Sequence, residues 1–200
     1  MTTKQFANLL PPDYKILKQG RGKSTWFVRQ SKQSCIMAVI EKNTTKTFLP
    51  EKHFRDDVFW LARFENDNTC FVDFRDVAIG STLCRYYLTK ENDEAVHYTL
   101  IMDVFHEGQA FQLFASGDEL GEASLRRTQP KKCYKEVVLK AFGSKNSTTS
   151  FNLMDREPRK GCCYTIGEDP FYDEFFPEHP LTQLRALAKA ILKSIAKEAT

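Results

Sequence analysis

The chain has 200 residues and a mass of 23.1 kDa, with 42% apolar residues, 28% charged residues and a net charge of +3. That length supports one sizeable hydrophobic core, and the composition excludes a wholly disordered chain. No apolar run approaches the roughly 20 residues of a membrane span, and the first residues carry no secretory pattern. The reading is a single domain over 1–200, intracellular and reducing (cytoplasmic or nuclear), with no membrane.

Residues 1–13 read as a short helical lead, stopped by Pro11-Pro12, which cannot continue a helix. Residues 14–142 read as mainly antiparallel β structure. Its first strand signals are Tyr14–Leu17, Thr25–Arg29 and Cys35–Glu41, with Gly20-Arg21-Gly22 as a turn. Residues 51–64 read as a helical turn running into a strand, because Phe54, Val58 and Leu61 have helical spacing before a dense apolar run. Cys70–Val77, Thr82–Thr89, Val96–His106 and Gln109–Ala115 are rich in aromatic and branched residues. The last three are separated at hairpin distances, which predicts a meander. Cys133–Phe142 adds one more expected strand.

Residues 143–178 read as loop-rich, and residues 179–199 as the only long helix. Pro180 suits its first turn, and Leu181, Leu184, Ala188, Ile191 and Ile195 form one apolar stripe. A second stripe carries Arg185, Lys189, Lys193 and Lys197. The expected fold is therefore α+β and β-rich. Eight or nine strands form an antiparallel curved sheet or partly closed β-barrel, with a C-terminal amphipathic helix and a short N-terminal helix.

The six cysteines form no C-x-x-C pair, and Cys162-Cys163 are adjacent, which suits neither a zinc knuckle nor a redox motif. They read as reduced thiols. Gly20-Arg-Gly-Lys-Ser-Thr25 ends like a phosphate-binding P-loop, but Leu17 stands where that loop needs its first glycine, and a strand follows where it needs a helix. A lone His97-Tyr-Thr99 lacks the second His-x-Thr that a two-histidine phosphoesterase requires. No motif names an activity, and none calls for a cofactor or a metal.

Charge is unevenly spread: residues 1–50 carry +7, residues 51–124 carry −9 and residues 125–150 carry +6. Folding could join the two basic segments into a face that orients a polyanion. Basic residues there interleave with aromatics, as they do on surfaces that neutralise phosphates and stack on unpaired bases. The expected nucleic-acid contacts are Lys18, Arg21, Lys23, Trp26, Arg29, Lys32, Lys131, Lys132, Tyr134, Lys135, Arg185, Lys189 and Lys193.

Two alternatives stand beside that non-enzymatic reading. The acidic, aromatic segment 168–178 could dock a basic protein partner, making the chain an interaction, inhibitor or assembly subunit. Asp103, His106 and Glu107, at the end of one expected strand, could instead serve a metal-dependent phosphodiester hydrolase. Surface polarity at a hairpin end is the plainer account of that trio.

Overall fold

The computed structural model describes residues 3–19, 24–32, 34–43, 69–92, 96–120, 168 and 170–198. Helix α1 (Thr3–Ala7) leads into strands β1 (Lys15–Gln19), β2 (Ser24–Gln30) and β3 (Ser34–Asn43). Strands β4 (Thr69–Ile79), β5 (Thr82–Asn92), β6 (Val96–His106) and β7 (Gln109–Glu119) follow. A 3-10 turn (Pro170–Glu174) precedes helix α2 (Pro180–Glu198). The expected strand Cys133–Phe142 and the mixed segment 51–64 lie outside the described residues.

The fold is α+β and rich in β structure. The described strands form one antiparallel sheet in the order β1-β2-β3-β7-β6-β5-β4. Of the two expected forms, the structure takes the open one: among the described strands β1 and β4 stand at the ends of the order and do not pair with each other. Two meanders meet where β3 pairs with β7 along its whole length, from Ser34↔Glu119 to Asn43↔Ala110.

Turn chemistry fixes the register of the second meander. Glu107 and Gly108 join β6 to β7 with φ of 48° and 72°, the pair of positive values that a type I′ hairpin requires. Glycine reaches that conformation without penalty, whereas Glu107 holds it at some cost. At the β4–β5 turn, Gly80 supplies the positive φ, 56°.

Strand alternation then divides the sheet into two faces. Tyr98, Leu100, Met102 and Val104 of β6 point to the core side, beside Phe111, Leu113 and Ala115 of β7 and Cys84, Tyr86 and Leu88 of β5. Ile36, Ala38 and Ile40 of β3 extend this face, and the two helices cover it. Helix α2 packs on β7, β3, β6 and β5 through Leu181, Leu184, Leu187, Ala188, Ile191 and Ile195, while α1 packs on β3 and β2. No helix among the described residues is long and apolar enough to cross a membrane.

Candidate interaction surface

The other face of the sheet carries side chains that pair across strands in rows. One row runs Trp26, Val39, Phe114, Ile101 and Tyr87 across β2, β3, β7, β6 and β5. The next runs Val28, Met37, Ser116, Thr99 and Thr89. Cross-strand neighbours on one face touch, so these apolar residues act as one surface. Its β5 end is closed: Tyr87, Thr89 and Arg85 are all buried. Its β2–β3–β7 end is open, with Met37 45%, Phe114 40% and Trp26 38% exposed.

The rim of the open half is charged with both signs. Lys18 stands opposite Trp26, and Lys15 opposite Val28, in the bulged β1–β2 ladder. Exposed Glu41 and Asp118 stand on the neighbouring rows, and His97 pairs with Asp118. On β1 itself, Ile16, opposite Phe27, and Leu17 in the bulge are 57% and 56% exposed.

Of the residues expected to contact nucleic acid, Lys18 and Trp26 stand on this surface, whereas Arg29, Arg185, Lys189 and Lys193 do not. Arg29 alternates to the core side of β2 and is ion-paired to Asp13. Arg185 is buried, with its Nη1 3.0 Å from Asp173, its Nη2 donating to the Glu168 carbonyl at 2.7 Å and its Nε 3.5 Å from Asp73. The basic stripe of α2 therefore begins inside the protein. Lys189 and Lys193 are exposed, but α2 turns them away from the sheet, and the sheet separates them from Trp26. Lys32 is exposed beyond the end of β2. Arg21, Lys23, Lys131, Lys132, Tyr134 and Lys135 lie outside the described residues.

The trio at the β6 hairpin is also divided. Asp103 shares the outer face with Gln112, which donates to it at 2.8 Å, while His106 alternates to the other face, its Nδ1 2.7 Å from Thr82 Oγ1. Glu107 is 3.7 Å from His106 and well exposed. Among the described residues, no group of three or more His, Cys, Asp or Glu is placed to hold a metal ion. Alternation along one strand is the reason, since residues three apart point to opposite sides.

Asp103 is nonetheless unusual. Burial pushes its carboxyl above the ordinary range, against the opposing pull of the Gln112 hydrogen bond and the nearby Arg85 guanidinium. A carboxyl raised in the folded state favours folding at acid pH, and that contribution is lost as pH rises through the folded value. Asp103→Asn keeps the acceptor for Gln112 and removes the buried charge. It is expected to raise the urea midpoint at neutral pH, with the gain fading as pH falls through the raised folded-state value and gone below about pH 4, the ordinary value of the unfolded chain. A gain that persists undiminished at acid pH would contradict this account.

Two cysteines among the described residues, Cys35 and Cys84, are free thiols. Burial pushes the Cys84 thiol up to about 12, with the Asp76 carboxylate adding to the shift, so Cys84 stays protonated and unreactive.

Segment 168–178 takes a structural place that its composition does not announce. Glu168 is fully buried and ion-paired to Lys90, itself 2% exposed. Tyr98 donates to the same carboxylate at 3.4 Å and to Glu119 at 3.2 Å. His179 lies 3.1 Å from Glu119, and Asp173 accepts from Thr182 and Arg185. Two of the acidic residues read for an outside partner, Glu168 and Asp173, thus help clasp α2 to the sheet, while Glu174 is exposed. Phe171 remains 39% exposed. Lys90, Tyr98, Glu119 and His179 were not singled out from sequence. Only the even-numbered alternation Cys84, Tyr86, Leu88, Lys90 pointed to a core-side lysine.

No family model matches the chain, and no curated protein matches it. Among solved structures it is similar to PA94, a protein of unknown function from Pseudomonas aeruginosa. That pair has 7% identity and a TM-score of 0.37, over 67% of this chain and 99% of the other. It is also similar to LpqN of Mycobacterium tuberculosis, involved in cell envelope biogenesis, with 15% identity and a TM-score of 0.36, over 64% of this chain and 78% of the other. The Ran-binding protein Mog1p of Saccharomyces cerevisiae is similar at 10% identity and a TM-score of 0.39, over 61% of this chain and 76% of the other. Likeness this distant leaves the functional reading to the chain's own geometry.

Proposed function

We propose that the chain is a non-enzymatic binding module that takes a protein partner on the open half of its outer sheet face. The observation that carries this is the side-by-side exposure of Trp26, Met37 and Phe114 on adjoining strands. Protein interfaces combine an apolar centre enriched in Trp, Phe and Met with a polar rim of both charge signs. Lys15, Lys18, Glu41 and Asp118 supply such a rim. A surface for a polyanion would instead carry cations without acidic neighbours. The free thiols at Cys35 and Cys84 fit a reducing compartment.

Single-stranded nucleic acid is the second reading, favoured by one observation. Lys18 stands in register with exposed Trp26, the pairing of cation and stacking platform that unpaired bases use.

The two readings separate in one comparison of wild type with Met37→Asp, Phe114→Asp and Lys18→Glu, each checked for an unchanged thermal melt. A partner protein captured by wild type should bind the Met37 and Phe114 variants about thirtyfold or more weakly, as central interface residues do. Oligonucleotide binding with a steep salt slope, lost in Lys18→Glu, would overturn the protein reading in favour of nucleic acid. Equal binding by every variant would move the site off this face.

A further inference from the structure

We propose that His179 is a proton-sensitive latch that caps the first turn of α2 at neutral pH and gives up that cap on mild acidification. The residue stands immediately before Pro180, the first residue of α2, in the capping position. Proline has no N–H, so the first unsatisfied helical donor is Leu181. That N–H donates to His179 Nδ1 at 3.1 Å. An imidazole nitrogen thereby does the work usually given to the oxygen of Ser, Thr, Asp or Asn.

This bond fixes the tautomer. Nδ1 accepts, so in the neutral ring the proton sits on Nε2, which donates to Glu119 Oε1 at 3.1 Å. The ring is fully buried and bridges the helix start to the end of β7. Tyr98 of β6 packs edge-on to it, with ring centroids 5.3 Å apart, and donates to both Glu119 and Glu168. Lys90 of β5 faces Glu168, and on the helix side Arg185 is held by Asp173 and the Glu168 carbonyl.

A second proton on the ring has only Nδ1 to occupy. An N–H there points at the N–H of Leu181, so the capping bond is replaced by a repulsion. The Glu119 carboxylate at the same time attracts the imidazolium, which keeps the ring tied to β7 while the helix loses its cap. The later turns stay in place through Leu184, Leu187, Ala188, Ile191 and Ile195, which confines the opening to the first turn and the segment leading into it.

Amide hydrogen exchange on the full chain tests this. Between about pH 7.5 and pH 5.5, protection of Leu181 and Gln183, corrected for intrinsic exchange, is expected to fall about tenfold in wild type. His179→Asn keeps a capping acceptor that does not titrate, and its protection should stay flat over the same range. Flat protection in wild type, or an equal fall in the asparagine variant, would overturn the latch. Ring ¹⁵N shifts of the wild-type protein decide the matter without a substitution. A neutral ring protonated on Nε2, titrating together with the Leu181 amide, supports the proposal. A proton on Nδ1 at neutral pH, or a Leu181 amide that does not follow the ring, refutes it.

Discussion

Lys90→Met is expected to lower the stability of the fold by about 3–5 kcal/mol. The substitution removes the cation that faces Glu168 and leaves a carboxylate buried with 0% exposure. Taking a charge out of water costs several kcal/mol, and an ion pair returns that cost only while both partners remain. The double variant Lys90→Met/Glu168→Leu removes both charges together and should recover most of the loss. Urea unfolding of the wild type, the two single variants and the double variant measures the coupling directly. Additive single effects would show that the two side chains do not interact.

The second large effect falls on Gly117, near the C-terminal end of β7 between Ile36 and Tyr98. A Cβ at this position would lie 2.3 Å from Ile36 Cδ1, 3.2 Å from the Cys35 carbonyl oxygen and 3.3 Å from Pro180 Cβ. Ile36 is fully buried and has little room to move, and the other two contacts are strand backbone and the first residue of α2. Gly117→Ala should therefore cost about 1–3 kcal/mol, the range for overpacking a filled core, despite the usual gain from replacing a strand glycine. A denaturation midpoint equal to wild type would mean that α2 can lift from the sheet without penalty. Ile36→Val in the Gly117→Ala background removes the closest obstructing methyl and should return part of the lost stability.

Much of the secondary structure was legible because its signals are local. Strand β6 has the bounds that its composition implied, Val96–His106, and the two-residue Glu107-Gly108 turn dictates its pairing with β7. Helix α2 begins at the proline that marked it and buries the stripe read from spacing. The β3–β7 pairing was not legible, since nothing in either strand names a partner so distant in sequence. Function suffered from the same limit. Arg185 sits in a four-residue rhythm with Lys189 and Lys193, and only tertiary contact with Asp173 and Glu168 separates a buried guanidinium from two solvated ammonium groups. Trp26 was chosen for its aromatic ring and lies on the open surface. Met37 and Phe114 were overlooked there because single exposed apolar residues carry no signal until a sheet assembles them.

The meeting of two meanders at β3 and β7 also has a kinetic consequence. Hairpins β1–β2–β3 and β4–β5–β6–β7 each close over short stretches of chain, on the microsecond scale of isolated hairpins. Joining them requires a much longer loop to close, an entropic cost incurred before the ladder between Ser34–Asn43 and Ala110–Glu119 returns anything. During synthesis, β3 leaves the ribosome early and pairs with β2, then keeps its other edge open until β7 has been made. That edge carries Ile36, Ala38, Val39 and Ile40, a dense apolar strand on an unfinished sheet. The interval between the two syntheses is when the nascent chain is most exposed to pairing with the wrong neighbour.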